Sequence, residues 1–217
     1  MAGIKLVFVG DTEVGKSCLI TRFIKGVFET NLKETTKANY VSKIIEIPEI
    51  RESITFDIWD TNGREKFKSM AKIFYQGAKM AILVYDITRK ESYDSVKNWW
   101  YKDIKEHGDP DIVIGIAGNK SDRYDDEEVP EQEAREFAES IGAVFSLTSA
   151  QNNSGIDELF KDMGKKYLCP NSSTIESDIQ KPEQKEESNQ NIKFGEKNVD
   201  KKNDGQKKKK NPCIIIY

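Results

Sequence analysis

No stretch of these 217 residues approaches the about 20 consecutive apolar positions of a bilayer-spanning helix. Cysteine is scarce. Cys18, Cys169 and Cys213 are an odd, widely spaced set, which argues against a disulfide framework or a zinc site and fits a reducing, cytosolic setting. No signal peptide is expected, because Met1-Ala2-Gly3 runs straight into strand-like sequence. The start also lacks a myristoylation pattern, since Ala2 rather than glycine follows Met1. Apolar residues are sparse from Asn171 onward, where ten Lys and eight Asp or Glu crowd 47 positions. Such a segment cannot bury enough surface to offset its ordering entropy, so residues 171–217 read as a disordered tail. Residues 1–170 read as the folded body. They carry 24 basic and 29 acidic side chains, and that acidic balance argues against a nucleic-acid polymer as partner. No internal repeat is visible.

What is present is sharper. Gly10-Asp11-Thr12-Glu13-Val14-Gly15-Lys16-Ser17 fits Gly-x-x-x-x-Gly-Lys-Ser. The apolar run Ile4–Val9 before it reads as a buried strand, and Cys18–Ile24 after it reads as a helix. Strand, glycine loop and helix start together make an anion cradle. Backbone N–H groups converge on phosphates, Lys16 neutralises their charge and the Ser17 hydroxyl can ligate Mg²⁺. An ordinary glycine turn would need none of the further elements found below. Cys18 lies just past the loop and reads as a small packing residue.

Strand-like and helix-like segments alternate. After the first helix, residues 26–38 lack periodicity. Strands are expected at Tyr40–Ile47, Ile54–Trp59, Met80–Tyr85, Ile112–Ala117 and Ala143–Leu147. The short connection around Pro48 implies an antiparallel pair. Apolar stripes at Tyr93, Val96, Trp100 and Ile104, at Ala134, Phe137, Ala138 and Ile141, and at Ile156, Leu159, Phe160 and Met163 mark helices. Trp100 falls on the first stripe and is expected in the core; Trp99 is expected partly exposed. The pattern predicts an α/β fold: a six-stranded, mostly parallel sheet with one antiparallel strand and helices on both faces. Ligands then bind at the carboxyl ends of the strands.

The remaining chemistry sits at those ends. Asp60-Thr61-Asn62-Gly63 follows the third strand; a carboxylate there can hold Mg²⁺ through water, and Gly63 lets its N–H approach a γ-phosphate. Asn119-Lys120-Ser121-Asp122 follows the fifth. Asp122 can accept from guanine N1–H and its 2-amino group, a donor pair adenine lacks, which disfavours an ATP-using kinase. Ser149-Ala150-Gln151 follows the sixth and can offer a backbone N–H to guanine O6. Thr35, in the aperiodic stretch, offers a hydroxyl to Mg²⁺.

These motifs resemble the Ras superfamily of small GTPases, over Gly3 to about Leu168. Trp59-Asp60-Thr61, Glu65-Lys66-Phe67, Tyr75-Gln76-Gly77-Ala78 and Leu83-Val84-Tyr85-Asp86-Ile87-Thr88 resemble the Rab family, and Ile112–Asp122 leans towards its Rab5-like, endosomal branch. The resemblance implies a P-loop small G domain that binds GTP and GDP with Mg²⁺. The implied nucleotide contacts are Thr12, Glu13, Val14, Gly15, Lys16, Ser17, Cys18, Phe28, Thr35, Gly63, Asn119, Lys120, Asp122, Ser149, Ala150 and Gln151. Metal ligands are Ser17, Thr35 and Asp60. Hydrolysis falls to Lys16, Thr35, Gly63 and position 64. Implied partners are effectors, an exchange factor, an activating protein, a prenylation escort and a GDP-dissociation inhibitor, acting on a monomer. Location is cytosolic and on the cytoplasmic face of endomembranes.

The pattern breaks in the second switch, where Asp-Thr-Ala-Gly-Gln is usual and Asp60-Thr61-Asn62-Gly63-Arg64 stands. The missing Gln orients the attacking water, and Arg64 cannot accept a hydrogen bond from it. Arg64 could place charge near the γ-phosphate, but charge alone does not align a nucleophile, so slow self-hydrolysis is expected. Activating proteins of the family supply a Gln in trans, which would soften the loss. The rival reading is a constitutively GTP-bound recruitment module. Thr12 crowds the same region. The first switch reads Glu34-Thr35-Thr36-Lys37 instead of Thr-Ile-Gly, and Gln151 replaces a lysine. Residues 28–40 and 60–76 are the expected effector surface, with Phe67, Met70, Phe74 and Tyr75 serving packing or partners. Lys207–Lys210 before Cys213 reads as a membrane tether, each base adding roughly 1 kcal/mol near an anionic leaflet. Cys213 is fifth from the end, off the Cys-a-a-X register, and single geranylgeranylation there is expected.

Overall fold

Leu6 and Phe8 pack into one apolar cluster, Val7 and Val9 into another. That alternation places the first strand, β1 (Ile4–Val9), between two helical layers in the computed structural model, which describes residues 3–29, 39–61 and 71–170. β4 (Met80–Asp86) repeats the pattern: Met80, Ile82 and Val84 face one layer, Ala81, Leu83 and Tyr85 the other. Strands buried on both faces need apolar side chains at every position, which is why both read as continuous runs. β2 (Asn39–Ile47) lies at an edge and keeps only alternate residues partly covered.

The sheet order is β2-β3-β1-β4-β5-β6, with β3 at Glu52–Asp60, β5 at Val113–Asn119 and β6 at Val144–Thr148. Only the β2–β3 pair among the described strands is antiparallel, in register Tyr40↔Trp59 and Val41↔Ile58. A 3₁₀ turn at Pro48–Ile50, closed by Arg51 at φ 55°, makes the tight return. β1 pairs with β3 on one side and β4 on the other, so the chain's direction of sheet growth reverses at β1. That reversal opens a crevice at the strands' carboxyl ends.

The first layer carries α1 (Lys16–Lys25) and α6 (Ile156–Leu168). Phe160 is its centre: its ring stacks on Phe23 at 3.5 Å between centroids and meets Phe8 and Phe56 at 6.0 and 5.4 Å. Removing it would cost about 3–5 kcal/mol, since three rings lose a partner and a cavity remains. The second layer carries α2 (Ala71–Tyr75), α3 (Lys90–Ser95), α4 (Tyr101–His107) and α5 (Glu131–Ser140). A π-wound turn at Val96–Trp100 joins α3 to α4. The stripe Tyr93, Val96, Trp100 and Ile104 is fully buried as its spacing predicts, and Trp99 is half-buried. The fold thus matches the expected architecture. Strands β3 and β5 run further than their apolar runs, taking in Asp60 and Asn119 as last residues.

Candidate functional site

The glycine loop leaves β1 with Gly10 at φ 141° and reaches α1 through Gly15 at φ 96°. A Cβ at Gly10 would lie 2.2 Å from the Val84 carbonyl oxygen, and one at Gly15 2.3 Å from the Asn119 amide nitrogen. Both positions therefore exclude a side chain twice, by backbone angle and by space. The loop's carbonyls are tied back. Lys16 Nζ donates to the Gly10 and Asp11 oxygens, each at 2.8 Å. Arg89 Nη2 donates to the Thr12 oxygen at 2.7 Å, and Asn119 Nδ2 to the Val14 oxygen at 2.7 Å. With four of its carbonyls taken up in this way, the loop can present its backbone N–H groups to an anion.

Lys16 is 6% exposed. Burial pushes its ammonium down to about 8; Asp60 and Asp11 oppose the shift and Arg89 adds to it. A bound anion would favour the charged form. Ser17 Oγ donates to Asp60 Oδ2 at 2.5 Å, joining the start of α1 to the end of β3. Thr61, beside it, is buried and donates to the Phe8 carbonyl at 2.6 Å, which holds the strand end against β1.

The oxygen donor set of Ser17 and Asp60 fits Mg²⁺, which is held by one or two carboxylates, waters and substrate phosphates instead of an all-protein cage. No cluster of three or more His, Cys, Asp or Glu suited to a metal occurs among the described residues. Thr35, Gly63 and Arg64, expected at this end, lie outside the described residues.

At the other end, Gly15, Cys18, Phe28, Asn119, Lys120, Asp122, Arg123, Ala150 and Gln151 line a cavity of about 140 Å³. Eight of these nine were expected from sequence; Arg123 was not. Asp122 accepts from the Ser149 hydroxyl, which also accepts from the Asn152 N–H at 3.0 Å. Lys120 adopts φ 66°, and its ammonium sits 2.7 Å from Asp86 Oδ2. Burial works to raise the Asp86 carboxyl, but hydrogen bonds from Lys120 and Thr88 outweigh it and hold the group below its ordinary range. Cys18 both lines the cavity and packs on the first core. Burial pushes its thiol up, so it serves as an apolar wall.

Three further contacts were not evident in the sequence. Arg22 Nε and Nη2 donate to the Ala150 and Gln151 carbonyls at 2.6 and 2.7 Å, fixing the loop after β6 to α1. Arg89 reaches the glycine loop, as above. Trp100 Nε1 donates to Asp11 Oδ1 at 2.9 Å, from the end of the π-wound turn. Widened turns of this kind recur beside functional sites. The sequence signals were slight: an arginine six residues past Lys16, and one directly after a strand-end Asp-x-Thr.

Of the expected effector surface, Tyr75 is buried and Phe74 half-buried, both packing on the second core; Phe67 and Met70 lie outside the described residues. Tyr40 and Ile44 are exposed on β2. Cys213 also lies outside. No helix of the described residues is long and apolar enough to cross a membrane.

A profile of the Ras family matches residues 5–169. Human Ras-related protein Rab-22A is 42% identical over 163 residues, covering 75% of this chain and 82% of that protein. Human Ras-related protein Rab-31 is 44% identical over 185 residues, covering 82% and 92%. Ras-related protein Rab5A of Oryza sativa subsp. japonica is 37% identical over 164 residues, covering 76% and 79%.

Proposed function

Because this chain belongs to the Rab family of Ras-related small GTPases, we propose that it is a Mg²⁺-dependent guanine-nucleotide switch that recruits effectors to endosomal membranes in vesicle traffic, and that it hydrolyses GTP slowly by itself. The observation that carries the nucleotide reading is the bond from Asn119 Nδ2 to the Val14 carbonyl, 2.7 Å long. It joins the phosphate loop directly to the residues lining the base cavity, so one ligand with a purine at one end and phosphates at the other satisfies both.

In this reading Asp122 accepts from guanine N1–H and N2–H, and Lys120 and Phe28 border the base. The Ala150 N–H meets O6. Thr12 to Ser17 present N–H groups to the phosphates, and Lys16 gives them its charge. Ser17, Asp60 and Thr35 would hold Mg²⁺, which when bound draws negative charge from the phosphate oxygens. Thr35 and Gly63 would contact the γ-phosphate, so that its loss frees both flanking segments. Residues 28–40 and 60–76 form the effector surface, with exposed Tyr40 packed edge-on against Trp59 at 5.6 Å supplying an aromatic element. Residues 171–217 tether the body through Lys207–Lys210 and a geranylgeranyl group on Cys213.

Slow hydrolysis follows from Arg64, whose guanidinium has no acceptor for the attacking water. Single-turnover hydrolysis by full-length protein and its Arg64→Gln variant tests this. The variant should be faster by about 10–100-fold, the scale set by aligning a nucleophile. Equal rates would remove Arg64 as the cause. Calorimetry with GDP, GTP and ADP tests the reading as a whole: tight uptake of the guanine nucleotides alone is expected.

A further inference from the structure

Three consecutive residues of the phosphate loop are met from one side by the segment that runs from β4 into α4. Asp11 accepts from the Trp100 indole, Thr12 gives its carbonyl to Arg89, and Glu13 sits opposite the same guanidinium, with 3.8 Å between Glu13 Oε2 and Arg89 Nη1. Arg89 itself is held in place. Its N–H donates to the Asp86 carbonyl at 3.0 Å, and its carbonyl accepts from the Ser92 hydroxyl at 2.7 Å.

Glu13 is the anomaly in this group. It is a non-glycine residue at φ 67°, in a conformation that L side chains rarely adopt. Its side chain is 79% exposed and carries negative charge on a loop whose N–H groups serve anions. An acidic residue there opposes phosphate binding unless a cation answers it. Arg89 is the cation that the geometry supplies. It also differs from Lys16, the other loop cation. Lys16 gives two of its three donors to the Gly10 and Asp11 carbonyls, which leaves one for a phosphate. Arg89 comes from the segment after β4 and gives its donor to the Thr12 carbonyl, so its contact with the loop does not draw on the lysine's donors.

We propose that Arg89 is a positioning residue for the nucleotide's phosphates: it keeps the Thr12 carbonyl turned out of the cradle, neutralises Glu13, and so sets how slowly nucleotide leaves. The inference rests on the guanine-nucleotide reading above and deepens it. Neither part follows from the phosphate-loop motif, because Arg89 lies 77 residues away from Thr12.

The test is release of a fluorescent GDP analogue from the full-length, Mg²⁺-replete protein, chased with unlabelled GDP. The proteins compared are unsubstituted, R89A, R89K, E13Q and the double variant R89A with E13Q. R89A should release about tenfold faster, the scale of one hydrogen bond to a charged group. In the E13Q background the same substitution should accelerate release only about threefold, because the charge it had to answer is gone. R89K should fall between R89A and the unsubstituted protein, keeping the charge and losing the forked geometry. Rescue by E13Q separates this role from a purely structural one, since a damaged fold would not be repaired by removing one exposed negative charge. Release from R89A at the unsubstituted rate, or an R89A effect of equal size in both backgrounds, overturns the inference. If R89A does not fold, R89Q, which also removes the charge, and the double variant R89Q with E13Q carry the same two outcomes. Failure of the unsubstituted protein to take up GDP at all overturns the functional reading itself, and this inference with it.

Discussion

The two ends of the nucleotide cleft are built differently. At the base end, Asn119, Lys120, Asp122 and Ser149 stand at or just past the ends of β5 and β6, and each is fixed by a partner on another element. Asn119 is bonded to Val14, Lys120 to Asp86, Asp122 to Ser149. The family pattern is intact there except at Gln151. At the phosphate end the anchoring strands are as firm, yet the loop carries Glu13 and an external arginine, and position 64 carries Arg where Gln is usual. Base recognition needs fixed acceptors and donors, which strand ends provide. In the function proposed above, retention and hydrolysis fall to loop residues, which stand outside the strands of the sheet. On the proposed reading, nucleotide choice and nucleotide lifetime are set by separate parts of the cleft, and each should be alterable without the other.

The costliest substitution should fall at the base end. Asp122→Ala leaves guanine N1–H and N2–H without an acceptor in a partly closed cavity. Preference for GDP over ADP should fall by about 10⁴-fold, the scale at which sites built around a hydrogen bond discriminate. Competition binding with the two nucleotides measures it. Preserved discrimination would mean that another group reads the base.

The phosphate end should respond to pH. Lys16 is pushed down to about 8 by burial, from an ordinary 10.5. A bound phosphate favours the charged ammonium, so GDP affinity should be constant below pH 8 and fall by up to about tenfold per pH unit above it. The sign for the unliganded fold is the reverse. Between pH 8 and 10.5 the unfolded chain holds a proton that the folded Lys16 has lost, so this group's contribution to stability improves as pH rises through that window. Calorimetric titrations at pH 7, 8 and 9 measure the first effect, and urea melts of nucleotide-free protein the second. A flat affinity profile would show that Lys16 does not meet the phosphates.

Much of this was legible in the chain. Continuous apolar runs marked the doubly covered strands, and period-four stripes marked the helices, because burial on two faces or one leaves those signatures. The glycine loop and the base-reading residues stood out because their spacing is forced by the phosphates and by strand ends. Strand ends were read short at Trp59, Ala117 and Leu147, since Asp60, Asn119 and Thr148 are held by ladder pairing that is indifferent to side-chain hydrophobicity. The π-wound turn was invisible, because Val96 and Trp100 keep an α-helical spacing. Arg22, Arg89 and Trp100 escaped because their partners lie 128, 77 and 89 residues away, and nothing local says where a long polar side chain will reach.

A milder substitution, at Arg22, tests whether the base end owes its firmness to the strands alone. Arg22 gives one donor to Ala150, one to Gln151 and one to Gly26, whose carbonyl lies 2.8 Å from Nη1. It thereby ties the loop that carries the Ala150 N–H to the end of α1. That loop also has its own support in the Ser149–Ser154 backbone pair, with hydrogen bonds of 3.0 and 3.3 Å. If strand ends and this local pair suffice, Arg22→Ala should leave GDP affinity unchanged. If the arginine completes the base end, affinity should fall by about three- to tenfold, matching the loss of one or two hydrogen bonds from a partly exposed cation. Preference for GDP over ADP should persist, because Asp122 is untouched. We expect the second outcome. Ala150 is buried, and its carbonyl would lose a charged donor that solvent can replace only in part.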